Sequence, residues 1–290
     1  MGIDQTGIHL GPIFFHFYGL ILVSGAFVAG WLAAREAARN GHDPEPIWDA
    51  LLWALLGGIV GARIWHIFTP PPSQGVDVWY YLNLTNLLPV FQWGDFVLKL
   101  PAALAINNGG LGIPGGVIGG VLAVWVFCRR RNIPFAKFVD WAAPGLVLAQ
   151  AIGRWGNFIN QELYGAPTTL PWGLDIDAAH RILGYTDPAL RFHPLFLYES
   201  LGNLLICLGL LYLARRAGAW LKDGDLFVIY LIAYPLLRFL LDFLRLDNNQ
   251  VLGLNTNQTI MLFVAIAAGL VLAQRHRRPR RHELKAQQQP

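Results

Sequence analysis

Charge is scarce in this chain. Of its 290 residues only 14% are Asp, Glu, Lys or Arg, against about 25% in an ordinary soluble domain. A chain so poor in charge and 54% hydrophobic is not expected to be a soluble domain. Cysteine is nearly missing: Cys128 and Cys207 are the only two, one at the end of an apolar run and one inside another. That excludes a disulfide framework, and no His/Cys/Asp cluster has metal-ligand spacing, so neither metal nor cofactor is expected. Strand-like alternation is lacking, which argues against a transmembrane barrel. No internal repeat is apparent, which weakens an inverted-repeat transporter. No basic segment precedes the first apolar run, so that run reads as a retained helix and not as a cleaved leader.

What remains is apolar sequence. Runs cover roughly 13–34, 47–68, 113–128, 139–153, 195–214, 225–244 and 257–274, most near the ~20 residues that cross a bilayer as a helix. The expected fold is an all-α integral membrane protein with about seven transmembrane helices, one membrane domain over 1–274 and a disordered tail over 275–290. Basic residues cluster after alternate runs: Arg35 and Arg39; Arg129, Arg130, Arg131 and Lys137; Arg215, Arg216 and Lys222; then Arg275 onward. This bias places the N-terminus outside and the C-terminus in the cytoplasm. The basic tail suits anionic lipid headgroups better than nucleic acid. Two longer external loops, 69–112 and 155–194, carry Trp79, Tyr80, Tyr81, Trp93 and Trp172, rings suited to the headgroup level.

Arginine inside an apolar run is costly, so Arg63, Arg154, Arg238 and Arg245 mark a working site. On the expected topology all four lie toward the outer leaflet, with Tyr18, Asn157, Asn160, Glu162, His193 and Glu199. The inner halves of the spans read as nearly featureless, which favours a one-sided site over a transport path. Arg238, Asp242 and Arg245 are spaced four and three apart, on one helical face. Counting Asp242 leaves two guanidiniums, which Glu162 or Glu199 balance only in part; phosphate matches that guanidinium fork. In Gly153–Gly165 the glycines are expected to break the helix and admit a ligand beside Arg154 and Asn157. Gly109–Gly116 looks like a phosphate loop only in its glycines, since no Lys-Ser/Thr follows. Gly57–Gly61 and Gly115–Gly119 have the spacing of close helix packing.

Together these segments resemble the bacterial prolipoprotein diacylglyceryl transferases. The likeness runs through His16–Gly19, Gly58–Arg63, Gly109–Gly120, Gly153–Gly165, His193-Pro194, Leu197–Glu199 and Tyr234–Arg245. The resemblance implies transfer of diacylglycerol from phosphatidylglycerol to the lipobox cysteine of a prolipoprotein signal peptide, with release of glycerol 1-phosphate, at the bacterial cytoplasmic (inner) membrane. It implies that Arg154 binds the phospholipid headgroup, that Asn157, Glu162, Gly165 and Arg238 are essential, and that Tyr18 matches a family tyrosine. The partners are then phosphatidylglycerol, prolipoproteins and membrane lipids.

The site set expected from residues and resemblance is Tyr18, Asn157, Glu162, Arg238 and Asp242 for chemistry. Arg63, Arg154, Asn160, Gly165, His193, Glu199 and Arg245 are expected to hold substrate. Two departures stand out. Pro114 occupies a place where the family commonly has His, so a mechanism using that His as base is closed to this chain. Asp242 stands where Glu is frequent. Proton acceptance is left open among Glu162, Asp242 and water. The alternatives are a phospholipid or anion transporter and an inactive lipid- or signal-peptide-binding homologue.

Overall fold

A computed structural model describes every residue except 1, 4–6, 11–12, 72–74, 94–95, 107–108, 219, 247–249, 252–253 and 278–290. The chain is mostly helical and divides into two compact units, residues 44–135 and the remainder.

The smaller unit is built on α2 (Glu45–Phe68) and α4 (Ile113–Arg130), numbered after α1 (Phe17–Arg39) of the other unit. The two glycine pairs meet each other across this helix pair. A Cβ on Gly61 would lie 2.3 Å from the Gly115 carbonyl oxygen, and one on Gly119 would lie 2.2 Å from that of Gly57. Backbones so close exclude any side chain there. Between the helices run a short helix α3 (Val78–Leu82) and an antiparallel hairpin, β4 (Leu87–Trp93) and β5 (Phe96–Pro101). Arg63 organises this connection. Its Nε donates to the Ala103 carbonyl at 2.9 Å, and its Nη1 donates to those of Gly109 and Gly110 at 2.9 Å each. Its Nη2 donates to Ala102 and, at 3.4 Å, to Ala105. Gly109 and Gly110 take φ of 84° and 76°, a region that glycine enters without Cβ strain. The loop thus turns carbonyls toward a cation, the reverse polarity of a phosphate loop.

The larger unit contains α1, α5 (Phe135–Ile159), α6 (Leu195–Arg216), α7 (Asp225–Leu241) and α8 (Thr256–Arg277). A three-stranded antiparallel sheet, β1 (Gly2–Ile3), β2 (Gly7–Leu10) and β3 (Ile13–His16), precedes α1. Two short pairs, β6 (Pro167–Thr168) with β7 (Arg191–Phe192) and β8 (Gln250–Val251) with β9 (Leu254–Asn255), complete it. Its core joins Leu32, Ala143, Val147, Cys207, Leu210, Leu226 and Tyr230. α1 approaches α5 closely, since a Cβ on Gly145 would lie 2.4 Å from the Ala29 carbonyl oxygen. α8 opens on a reciprocal capping box: Gln258 N donates to Asn255 Oδ1 at 2.6 Å, and Asn255 N donates to Gln258 Oε1 at 3.0 Å.

A long helix stands at each of the seven expected apolar runs, and six of them are long and apolar enough to cross a membrane; α5, which carries Lys137, Asp140 and Arg154, falls outside that six. Four expectations need correction. Residues 13–16 pair as a strand before α1 begins. α5 continues through Gly153 and Gly156 to Ile159, because helical hydrogen bonding tolerates an isolated glycine at a cost of only ~1 kcal/mol. Tyr81 is buried, its hydroxyl 2.9 Å from His66 Nε2, so it is no headgroup-level ring. α8 runs through Arg277, past the expected tail boundary at 275. Residues 278–290 and the Trp93 side chain lie outside the described residues.

Candidate active site

The end of α5, the start of α6 and the end of α7 bring their polar side chains together. Glu199, in the second turn of α6, is 2% exposed and sits between two cations. Its Oε1 lies 3.0 Å from Arg154 Nη2, and its Oε2 accepts from Arg238 Nη1 at 2.6 Å. Asp242, 1% exposed, accepts from Arg238 Nη2 at 3.0 Å and lies 3.8 Å from Arg245 Nη1. Among the described residues, two buried carboxylates thus meet three guanidiniums. Of the two acids expected to balance part of the positive charge, Glu199 does so by spanning two arginines. Arg154, Asn157, Glu199, Arg238 and Arg245 line one small cavity, closed by the apolar walls of Leu163, Leu195 and Phe196.

Local structure explains the placement. α7 gives way at Asp242 to a single 3-10 turn, and Arg245 is extended (ψ 147°). The expected shared helical face therefore does not reach Arg245, which meets Asp242 from outside the helix. Gly165 holds that extended segment. Its N–H donates to the His193 carbonyl at 2.9 Å, and Ala166 N donates to that of Leu244 at 2.7 Å. A Cβ on Gly165 would lie 2.8 Å from His193 Cβ and 3.0 Å from the Leu244 oxygen. Its place is a backbone crossing behind Arg245.

Glu162 is set by a strained turn. Gln161 and Leu163 on either side take φ of 49° and 56°, costly for residues bearing a Cβ. Strain of this kind at a cavity's edge fits a functional turn. The turn folds Glu162 back, so that its Oε1 accepts from Asn157 Nδ2 at 2.8 Å and from Asn160 Nδ2 at 3.5 Å. Asn157 Oδ1 in turn accepts from Arg154 Nη1 at 3.1 Å. Arg154, Asn157 and Glu162 form one relay. Among the described residues no ion pair joins Glu162 to an arginine.

The remaining expected residues stand at differing removes. Tyr18 lays its ring on Gly156, where a Cβ would lie 2.3 Å from Tyr18 Cδ2. His193 Nδ1 lies 3.2 Å from the Tyr198 hydroxyl, which accepts from Trp172 Nε1 at 2.8 Å. Arg63 belongs to the smaller unit, where carbonyls take its donors.

Two residues of the cluster went unread. Tyr234, one turn before Arg238, stands near Arg154, Glu199 and Arg238. Asn257 Nδ2 donates to Asp242. The signal for Tyr234 was its i,i+4 spacing from Arg238; Asn257 had none, because a first-turn amide usually caps. A second cavity of about 320 Å³ shares Asn157 and Phe196 with the first. Phe158, Ile159, Leu174 and Ile176 make it largely apolar, with Glu162 at its wall. Polar side chains also occur within the helices, away from this cluster. Gln150 donates to the Tyr230 hydroxyl at 2.9 Å, and Asn203 is wholly buried. Single amides in apolar helices read as interhelical glue, which hid them.

A family model described as prolipoprotein diacylglyceryl transferase matches residues 5–274. The chain is 41% identical over 279 residues to phosphatidylglycerol–prolipoprotein diacylglyceryl transferase 2 of Streptomyces coelicolor, covering 95% of this chain and 81% of that one. A Synechococcus elongatus protein named phosphatidylglycerol–prolipoprotein diacylglyceryl transferase is 38% identical over 269 residues, with 92% and 85% covered. One from Frankia casuarinae is 40% identical over 267 residues and longer, so 92% of this chain spans 59% of it. The chain belongs to the prolipoprotein diacylglyceryl transferase family.

Proposed function

We propose that this chain transfers the diacylglyceryl group of phosphatidylglycerol to the thiol of a prolipoprotein's lipobox cysteine. The observation that carries the reading is the buried Arg154–Glu199–Arg238 bridge beside Arg245, which gathers three guanidiniums at one small cavity. The thiolate attacks the glycerol carbon that bears the phosphate ester. A C–S bond forms, the C–O bond breaks, and the electron pair leaves on the phosphate of glycerol 1-phosphate. The phosphate passes from one negative charge toward two, and guanidiniums already in place stabilise that growing charge. The thiol proton goes to Glu162. Asp242 is held by Arg238, Arg245 and Asn257, whereas Glu162 is exposed and, among the described residues, bonded only by amides. This route needs no group at Pro114. The apolar cavity beside Asn157 and Phe196 suits an acyl chain or the signal segment.

In this reading all seven long helices cross the bacterial cytoplasmic membrane. Basic residues in the last turns of α1, α4, α6 and α8 support a cytoplasmic position for those ends, which puts the arginine cluster at the outer leaflet. Family membership weighs against the transporter alternative.

The test is transfer of labelled phosphatidylglycerol to a lipobox peptide. Wild type should label the peptide. Arg154→Ala should abolish labelling, and Glu162→Gln, which keeps an acceptor for Asn157, should slow turnover about 10²-fold or more. An unlabelled peptide with wild type, in membranes where lipid still binds, would instead establish an inactive homologue.

A further inference from the structure

A second polar cavity lies at the opposite helix ends of the larger unit, between the end of α1, the start of α5 and the segment after α6. Asp140 and Arg154 are 14 residues apart on α5, so about 20 Å of helix separates the two sites. This cavity holds about 200 Å³, smaller than the ~300–1,000 Å³ typical for drug-sized ligands.

Its lining combines both signs of charge with an aromatic face: Glu36, Asp140 and Asp223 against Lys137 and Lys222, with Trp141. Glu36 carries the argument. It is 3% exposed, and among the described residues its buried Oε1 has no hydrogen-bond partner. Arg215 Nη2 stands 3.6 Å from that oxygen and Arg39 Nε stands 3.9 Å from Oε2, too far for hydrogen bonds. Both arginines are nearly half exposed. Each Asp140 oxygen accepts one backbone N–H, from Gly224 at 2.6 Å and from Phe227 at 3.0 Å, which leaves lone pairs on both. Lys137 Nζ stands 3.9 Å from Asp223, beyond a hydrogen bond, and Lys222 Nζ donates to the Arg275 carbonyl. The His42 ring centroid lies 4.7 Å from that of Trp141.

We propose that this cavity binds a small zwitterion of the phosphoethanolamine type. Its ammonium donates to Glu36 and Asp140 against the Trp141 ring, and its phosphate meets Lys137 and Lys222. A buried acceptor without a donor calls for N–H groups, an aromatic face beside carboxylates suits an ammonium, and lysines at the same cavity suit the attached anion. The position at helix ends admits two sources, an aminophospholipid headgroup or a soluble aminophosphate.

The experiment uses the purified full chain in detergent, titrated with phosphatidylethanolamine or with phosphatidylcholine of the same acyl chains, and reads thermal stability. O-phosphoethanolamine is a third arm. Phosphatidylethanolamine should raise Tm, also in an Arg154→Ala background, whereas phosphatidylcholine, whose quaternary nitrogen has no N–H, should not. Glu36→Gln and the more exposed Lys137→Gln should each raise the half-saturating concentration about tenfold, the worth of one charge-assisted hydrogen bond, without changing transfer. Lys137→Gln keeps the test open if Glu36→Gln fails to fold. A response to O-phosphoethanolamine supports the soluble source; silence there with a response to the lipid supports the membrane source. Equal responses to both lipids, variants that respond as wild type does, or silence in all arms would overturn the proposal.

Discussion

Glu199 decides how the arginine cluster behaves. A carboxylate shared by two guanidiniums holds both forks in register with a single negative charge. In Glu199→Gln the shape survives and the cluster becomes one charge more positive. Phosphate should then bind more tightly, the product dianion most of all, so transfer should slow while glycerol 1-phosphate becomes a stronger inhibitor. An unchanged inhibition constant would show that Glu199 is only a packing residue. Glu199→Ala removes the partner outright and leaves buried cations, a loss of about 3 kcal/mol or more. The residues of this cluster were legible in the sequence because arginine is so improbable in apolar helix. The partnership was less legible, since it joins helices 39 residues apart in the chain, and an acid four residues from Arg238 looked like its natural partner. Gly165 was read as a ligand contact, whereas the structure uses its missing side chain to let two segments cross behind Arg245.

Among the elements, the helices were easy to read and the strands were not. Long apolar runs announce themselves by composition, but strands of two to four residues such as β1, β2, β3 and β6 are too short for alternation to register. The end of α5 was misplaced because glycine was weighted as a breaker, yet Gly156 is there to receive the Tyr18 ring. The glycine spacing of α2 and α4 was read correctly as packing, and it yields a sharp contrast. A Cβ at Gly61 would lie 2.3 Å from the Gly115 oxygen, whereas one at Gly58 finds its nearest neighbour, the Gly116 oxygen, at an ordinary 3.5 Å. Gly61→Ala should therefore separate the helices at a cost of ~1–3 kcal/mol. Gly58→Ala should hold stability or raise it, because alanine is the better helix former by up to ~1 kcal/mol. Thermal unfolding of both variants in one detergent gives the comparison, and equal Tm values would mean that the α2–α4 contact is looser than described.

At the scale of the whole molecule, the larger unit carries polar clusters at both ends of a mainly apolar bundle, and this separates stability from chemistry. The end remote from the arginines is tied by Asp225, which is fully buried at the start of α7. Its Oδ1 accepts from Arg275 Nε at 2.7 Å, and its Oδ2 accepts from Lys222 N at 2.7 Å and lies 2.8 Å from His276 Nε2. His276 also stacks on Trp220 with ring centroids 4.0 Å apart. These contacts join the end of α8 to the start of α7, in the stretch where the sequence alone suggested that a disordered tail begins. Asp225→Asn keeps the shape but removes the charge that Arg275 faces. Because the Arg275 side chain is about a third exposed, the loss should be about 2 kcal/mol, below that of a fully buried pair. Asp225 and Arg238 are 13 residues apart on α7, about 20 Å along the helix. The variant should thus unfold at lower temperature yet transfer diacylglycerol at close to the wild-type rate wherever it remains folded. Tm and initial rate measured on the same preparation decide the matter: a rate that falls with Tm intact would show that the α7–α8 tie reaches the arginine cluster, and that the two ends of the bundle are coupled.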